Sequence, residues 1–335
     1  MTTYDKILVI HFGQLGDVML GLPALAALRK RFPDRQITVM SGRSTAELIK
    51  LANVADDQIV VDREALRKGK KLASIAKIFK LTRDVRSRGF ELVVDLHSLY
   101  ETNILGLLSG AKARLYGNRE SRSLDRLANF PTAPPREDKS KHLTERYLDV
   151  IIPLGIDDAE RLINITPRPE DVSEVFRRFP MLVRDKKRLV GLFPGAGNPS
   201  RCWSLEKFAK TAERLTELGH LPLVFLGPEE RGLRDSVHEL FSEHTPIIDG
   251  LSLSEFLAAV SGLDCFVTND TGPLHLAAVV DVPIVLVIDA RAPRTYIPIA
   301  SHMSIVSKTP IDDIDVDEVF SEAAAYLAND ISMSK

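Results

Sequence analysis

Three glycine-containing turns in this chain each carry a charged side chain, a combination suited to gripping a phosphate or moving a proton. The first is His11-Phe-Gly-Gln-Leu-Gly-Asp17. Its glycines let the backbone turn tightly and approach a ligand closely. Asp17 is open to two compatible readings: the N-cap of the helix that follows, or a carboxylate that accepts a proton from an incoming hydroxyl. Capping would keep its pKa low, which suits a glycosyl transition state needing little help from a strong base. As a dinucleotide fingerprint the turn is poor. Only the spacing of Gly13 and Gly16 fits, and the next strand ends at Met40-Ser41-Gly42 without an acid for a ribose, so a nicotinamide enzyme is disfavoured.

The second turn is Phe193-Pro-Gly-Ala-Gly-Asn-Pro-Ser-Arg-Cys-Trp203. Around Gly195, Ala196 and Gly197 the backbone N–H groups can face a ligand, and Arg201 offers a planar fork suited to phosphate oxygens. Taken alone it is equally an ordinary loop, with Arg201 solvated and Trp203 packed on the core. The third is Thr268-Asn-Asp-Thr-Gly-Pro-Leu-His275. Gly272 and Pro273 start a helix well, and a helix start offers free N–H groups to a diphosphate. Thr271 adds a hydroxyl. Asp270 either caps the helix or binds sugar hydroxyls or Arg201, and His275 reads better as an interior histidine than as a catalytic one. A weaker turn, Leu226-Gly-Pro-Glu-Glu230, places Glu229 and Glu230 where a ribose diol could be held, and Leu251, after Gly250, could wall an adenine.

The elements that must position these turns alternate between short β-branched runs and amphipathic helices, the mark of parallel sheets with crossover helices. Strands are expected at Lys6–His11, Gln36–Met40, Gln58–Val61 and Glu91–Asp95, then at Arg188–Leu192, Pro222–Leu226, Pro246–Ile248, Cys265–Thr268 and Ile284–Ile288. Lys70–Ser87 reads as a long helix in which Ile75, Ile78, Phe79 and Thr82 keep helical spacing. The stretch from Lys112 to Arg146 holds nine Lys or Arg against five Asp or Glu, and Pro131, Pro134 and Pro135 exclude one continuous helix. Its Arg114, Arg119, Arg122, Lys139 and Lys141 either receive an anionic ligand or form a solvated loop. The junction between two domains is expected at Pro180–Lys187. Such sheets bind ligands at their C-terminal strand edges, and two in tandem would face one another across a cleft.

The 335 residues suit two domains. A 44% hydrophobic and 27% charged composition is ordinary for a soluble protein, and a net charge of −2 gives no global reason to expect nucleic acid or a membrane surface. Two cysteines without a C-x-x-C pattern argue against a disulfide framework or thiolate metal site. The N-terminus lacks a signal-peptide apolar region, and no apolar run approaches the ~20 residues that span a bilayer. The expected compartment is cytoplasmic.

Leu15-Gly-Asp-Val18 with Leu22-Pro-Ala24, Asp95-Leu-His-Ser98, Arg201-Cys-Trp203 and Asp270-Thr-Gly-Pro-Leu-His275, in that order, resemble glycosyltransferase family 9, the ADP-heptose:lipopolysaccharide heptosyltransferases. The resemblance implies a GT-B architecture. Residues 1–180 would form a Rossmann-like acceptor-binding domain and 187–310 a Rossmann-like nucleotide-sugar-binding domain. Residues 311–335 would hold a helix crossing back toward the first domain. It further implies an inverting transfer of heptose to a lipopolysaccharide inner-core acceptor, with no metal and no cofactor. Asp17 would be the base, and Gly13, Gln14, Gly16, His97, Arg114, Arg119 and Arg122 would lie on the acceptor side. Gly195, Ala196, Gly197, Arg201, Glu229, Glu230, Leu251, Asp270, Thr271, Gly272 and His275 would hold the donor. Two departures stand out: Arg201 replaces a usual Lys, and His97 stands where Gln is frequent. The implied partners are a nucleotide-diphosphate sugar and a lipid-anchored anionic oligosaccharide at the inner face of the inner membrane, with peripheral membrane contact through the acceptor. Rival readings are a sugar-nucleotide epimerase of the same architecture and a nucleotide-sugar-binding protein without turnover.

Overall fold

A computed structural model describes residues 4–63, 65, 71–120, 122–183, 187–198 and 201–328. The chain divides into two compact units, Met1–Ile163 and Asn164–Lys335. Each is built on one all-parallel sheet.

In the first unit β1 (Lys6–His11), β2 (Gln36–Gly42), β3 (Asp57–Val61), β4 (Leu92–Asp95) and β5 (Ala113–Tyr116) are ordered β3-β2-β1-β4-β5. Ile7 to Ile10 on β1 are all buried, as a central strand covered on both faces requires. Helices α1 (Leu15–Arg31), α2 (Ala46–Leu51), α3 (Lys71–Ser87), α4 (Tyr100–Leu108) and α5 (Leu143–Ile151) surround the sheet. α1 packs along α5. Val85 of α3 and Leu105 of α4 join Leu8, Ile10, Met40 and Val93 in one core. The reading of Ile75, Ile78 and Phe79 as a periodic apolar face holds for the period but not for a packed face, because all three are exposed.

In the second unit β6 (Leu189–Phe193), β7 (Leu221–Leu226), β8 (Ile247–Asp249), β9 (Cys265–Asn269), β10 (Ile284–Asp289) and β11 (Met303–Lys308) are ordered β11-β10-β9-β6-β7-β8. This is the order of a dinucleotide-binding sheet. Its helices are α6 (Pro169–Arg178), α7 (Leu205–Glu217), α8 (Arg234–Leu240), α9 (Leu253–Ser261), α10 (Gly272–Ala278) and α11 (Val316–Ala328). Trp203, Phe208, Leu215 and Val237 bury one face with Val190, Val267 and Val285.

One boundary differs from expectation. The division falls at Ile163, ahead of Pro180–Lys187, because α6 belongs to the second unit. Ile165 N–H donates to the Val279 carbonyl, and Arg178 pairs with Glu255 at 3.0 Å and donates to the carbonyls of Asp249 and Gly250. The helix α11 was expected to cross back to the first domain. Over its described residues it sets Val319, Ala323 and Leu327, a stripe at i, i+4 and i+8, into the core of the second unit. The Lys112–Arg146 stretch is not a single loop: it contains β5, a short 3-10 turn at Asp125–Leu127 and the start of α5.

Candidate active site

Strand order reverses between β1 and β4 in the first sheet and between β6 and β9 in the second. Parallel sheets open a crevice at the C-terminal ends of such strands. The three main turns singled out from the sequence, and the Asp95–Ser98 motif, follow these four strands; Glu229 and Glu230 follow β7 and Leu251 follows β8.

After β1 the chain makes its turn at Phe12–Gln14 and enters α1 at Leu15. Gln14 is the N-cap and Asp17 sits at the third helical position, not at the cap. Its Oδ2 accepts the Gln14 N–H at 3.0 Å, satisfying one of the orphan donors of the helix start. Asp17 is half-buried, and its Oδ1 takes no hydrogen bond from a described residue. Gly13 is required here: a Cβ would stand 2.5 Å from Asp17 Cβ and 2.8 Å from His11 Cε1. Beneath the turn His11 is fully buried. Its Nδ1 accepts the Gly13 N–H at 3.2 Å, and its ring lies 4.8 Å from that of Tyr147.

After β4 the turn is fixed by Asp95, also fully buried, which accepts the Ser98 N–H at 2.7 Å and Asn103 Nδ2 at 2.8 Å. Ser98 adopts φ +45°, a left-handed conformation uncommon outside glycine, and its hydroxyl accepts the Gly117 N–H at 2.6 Å. This turn carries His97, whose ring meets Phe12 edge-on at 6.2 Å.

Arg119 reaches the second of these turns. It is 9% exposed, bonds the Leu96 carbonyl, and lies 3.4 Å from Glu137 Oε1. Arg146 grips the same oxygen, with its Nε at 3.1 Å. Two buried guanidinium groups therefore share one carboxylate, so this trio carries one positive charge in excess. Arg63 adds to it, donating to the Phe12 carbonyl at 2.8 Å with its guanidinium 5.4 Å from the Phe12 ring centre. Burial, then the positive charge of Arg119, Arg63 and Arg122, pushes His97 down to about 3. Burial, then His97 and Arg119, does the same to His11, also to about 3. Both imidazoles are neutral near pH 7. Burial pushes Asp95 up to about 6 against the pull of its donors.

Arg122 is exposed. Arg114 does not join the group expected to meet an acceptor. Its Nε donates to the Leu127 carbonyl at 2.9 Å and its Nη1 to the Ala111 carbonyl at 2.8 Å, so this guanidinium braces the segment after β5.

In the second unit Glu230 is buried beside the loop after β6. A Cβ on Gly195 would lie 2.5 Å from Glu230 Oε1, and one on Gly227 would lie 2.6 Å from Oε2. Both glycines are thus fixed by close approach of that carboxylate, whose pKa burial raises, with Glu229 adding. Ala196 is half-buried and Gly197 and Glu229 exposed, with Glu229 Oε2 3.6 Å from where a Gly197 Cβ would stand. Leu251 is half-buried after β8, following Gly250 at φ +65°.

After β9, Thr271 is the N-cap of α10, so Asp270 is not the cap. Its carboxylate lies 3.6 Å from Arg201 Nη1. Burial raises the Asp270 pKa and Arg201 opposes the rise. Gly272 begins α10, and His275 is buried on it. The two loops are joined by Asn269, fully buried. Its side chain accepts the Trp203 N–H at 3.0 Å and donates to the Pro194 carbonyl at 2.8 Å. Trp203 is core, its indole N–H bonded to the Ile314 carbonyl at 3.0 Å.

Sequence reasoning did not single out Arg63, Glu137, Arg146, Tyr147 or Asn269. Asn269 carried a signal, since it lies inside the Thr268–His275 motif. Arg146 and Tyr147 are neighbours on α5, and Arg63 and Glu137 come from other segments with no shared spacing. Among the described residues no group of three or more His, Cys, Asp or Glu side chains is placed to hold a metal ion, and no helix is long and apolar enough to cross a membrane.

The model of glycosyltransferase family 9 (heptosyltransferase) matches residues 78–320. Lipopolysaccharide heptosyltransferase 3 of Escherichia coli is 24% identical over 296 residues, covering 86% of this chain and 84% of the relative. A family 9 glycosyl transferase from Veillonella parvula DSM 2008 superposes with a TM-score of 0.84 at 24% identity, covering 97% of each chain. The ADP-heptose lipopolysaccharide heptosyltransferase II of E. coli gives 0.79 at 19% identity, covering 96% of this chain and 98% of the other.

Proposed function

The chain belongs to glycosyltransferase family 9, the heptosyltransferases, and from that premise we propose that it moves heptose from ADP-heptose to an anionic lipopolysaccharide inner-core acceptor, inverting the anomeric centre without a metal. The observation that carries this reading is the placement of Asp17, in the first turn of α1, at the strand-order reversal of one sheet, and of Gly195, Arg201, Asp270 and Thr271, on loops at the reversal of the other.

Asp17 accepts the acceptor hydroxyl proton as the oxygen attacks the anomeric carbon, and ADP departs from the opposite face. A carboxylate serves as the base because the transition state has oxocarbenium character. Arg201 and the backbone N–H groups of the Gly195–Gly197 turn and the Thr271–Gly272 helix start meet the growing diphosphate charge, the work a divalent ion does elsewhere. Glu230 accepts from the ribose diol and Leu251 lines the base. The excess of Arg119 and Arg146 over Glu137, with Arg122 at the surface, favours an anionic acceptor.

Incubation with ADP-heptose, with and without the core acceptor, tests the reading by following ADP. ADP and a glycosylated acceptor are expected only when both substrates are present. Release of nucleotide without acceptor would instead indicate epimerase chemistry, and binding without release a donor-binding protein.

A further inference from the structure

His11 is the last residue of β1, and its side chain is enclosed by two glycines and an aromatic ring. A Cβ on Gly13 would stand 2.8 Å from His11 Cε1, and one on Gly21, within α1, would stand 2.6 Å from Nε2 and 2.8 Å from Cδ2. The Tyr147 ring on α5 packs against the imidazole with centres 4.8 Å apart, and its Cδ2 would lie 3.5 Å from the same Gly21 Cβ. Glycine weakens a helix interior. Gly21 is accounted for by the imidazole that occupies the space of its side chain.

The two nitrogens of this ring are unequal. Nδ1 accepts the Gly13 N–H at 3.2 Å, so in the neutral ring the proton belongs to Nε2. Nε2 is buried without a hydrogen bond of good geometry among the described residues. A donor left in that state costs stability, and an apolar side chain of similar size would not. The imidazole therefore contributes through Nδ1 and through its shape, not by stabilising the core.

Both contributions end at Asp17. The Gly13 N–H goes to His11, and the next one along, of Gln14, goes to Asp17 Oδ2 at 3.0 Å, so two side chains fix consecutive amides of one turn. The absent Gly13 Cβ that would meet His11 would also stand 2.5 Å from Asp17 Cβ and 3.3 Å from its Oδ2. Imidazole and carboxylate thus close on one glycine, and a movement of the ring passes to the carboxylate. Burial lowers the His11 pKa, and the main chain of Asp17 is close enough to oppose the fall.

We propose that His11 is a positioning residue for Asp17. Wedged between Gly13 and Gly21, the imidazole holds the turn after β1 in the shape that leaves Asp17 Oδ1 free to take the proton of the acceptor hydroxyl. His11 itself is fully buried and touches no substrate. The inference rests on the reading of Asp17 as the base, and its test keeps the two apart.

His11→Leu fills the space without an acceptor for the Gly13 N–H, whereas His11→Asn places an oxygen close to where Nδ1 stands. With ADP-heptose and the core acceptor, His11→Leu is expected to lower kcat by about 10–100-fold. The ADP dissociation constant, by calorimetry, should stay within about twofold of the parent's. His11→Asn should recover kcat to within about threefold of the parent. Gly21→Ala, which drives a methyl against Nε2, should lower kcat about tenfold in the parent and less than about twofold beside His11→Asn. In the Asp17→Asn background His11→Leu should cost less than about threefold. Turnover unchanged by Asp17→Asn itself defeats the reading of Asp17 as the base. A large loss on Asp17→Asn, with an equal cost of His11→Leu in both backgrounds or no rescue by His11→Asn, overturns only the positioning role. In the parent protein, nitrogen-15 shifts of the His11 ring should report a bare Nδ1 and a protonated Nε2 near pH 7, and a proton on Nδ1 overturns the proposal without any assay of turnover.

Discussion

Gly195 and Glu230 occupy one space: the Glu230 carboxylate sits where a side chain at position 195 would have to be, 2.5 Å from the site of its Cβ. Thirty-five positions separate them in the chain, yet the identity of one fixes that of the other. The loop after β6 is glycine-rich at this point because an acid from the loop after β7 fills the gap.

That relationship is testable by a double-mutant cycle. Gly195→Ala is expected to displace the Glu230 carboxylate and weaken ADP binding about tenfold by calorimetry, with little further loss when Glu230 is already Ala. Equal losses in both backgrounds would mean that position 195 contacts the nucleotide independently of Glu230.

Asp17→Asn keeps an oxygen for the Gln14 N–H and removes the base. Turnover should fall by about 10²–10⁴-fold, with the ADP dissociation constant and thermal midpoint near those of the parent. A parallel fall in stability would assign Asp17 to holding the helix start alone.

Arg201 is more than half exposed, and the group it faces is Asp270. Arg201→Ala should leave stability within about 0.5 kcal/mol and weaken ADP binding by about 10–100-fold, the worth of one or two charge-assisted hydrogen bonds. It also removes the charge that opposes the upward shift at Asp270. An ADP affinity equal to the parent's would take Arg201 out of the donor site.

His97 and His11 make the first unit sensitive to acid. Each has a folded pKa of about 3, held down by burial and then by charged neighbours, against an ordinary 6.5. The unfolded chain therefore binds protons that the native state refuses. Stability falls as pH drops below about 6.5 and continues to fall toward about 3, by about 1.4 kcal/mol per pH unit for each histidine. Asp95, raised to about 6, acts with the opposite sign: its contribution is greatest below the ordinary carboxylate range and is lost as pH rises through about 6. In His97→Gln the slope of unfolding free energy between pH 4 and 6 should diminish by about one proton, read from urea titrations at several pH values. An unchanged slope would mean that His97 titrates as if exposed.

Much of this was legible without coordinates. Nine of the eleven strands among the described residues lie within two residues of the expected positions, because buried parallel strands are written as continuous β-branched runs. The two that were missed, β5 and β11, each lie at one edge of their sheet, whereas β3 and β8, at the opposite edges, were legible. Edges are half-solvated, so Arg114 interrupts the run of one and Ser304, Ser307 and Lys308 interrupt the other. The helix α6 was assigned to the wrong unit because Pro180 and the charged run after it look like a linker, whereas the packing of Val175 and Arg178 decides where the helix belongs.

By itself the sequence determined that two parallel α/β units follow one another, and that glycine turns with Asp17, Arg201 and Asp270 end their strands. Strand propensity, turn chemistry and motif order are local properties, written within a few residues of one another. Tertiary structure alone decided that Glu230 backs Gly195, that Asn269 ties two loops together, and that Arg119 and Arg146 share Glu137 beneath neutral His11 and His97. It alone decided, too, that the apolar period of α3 faces outward. A period shows that a helix has an apolar side. Only the packing of the remaining chain determines what that side meets.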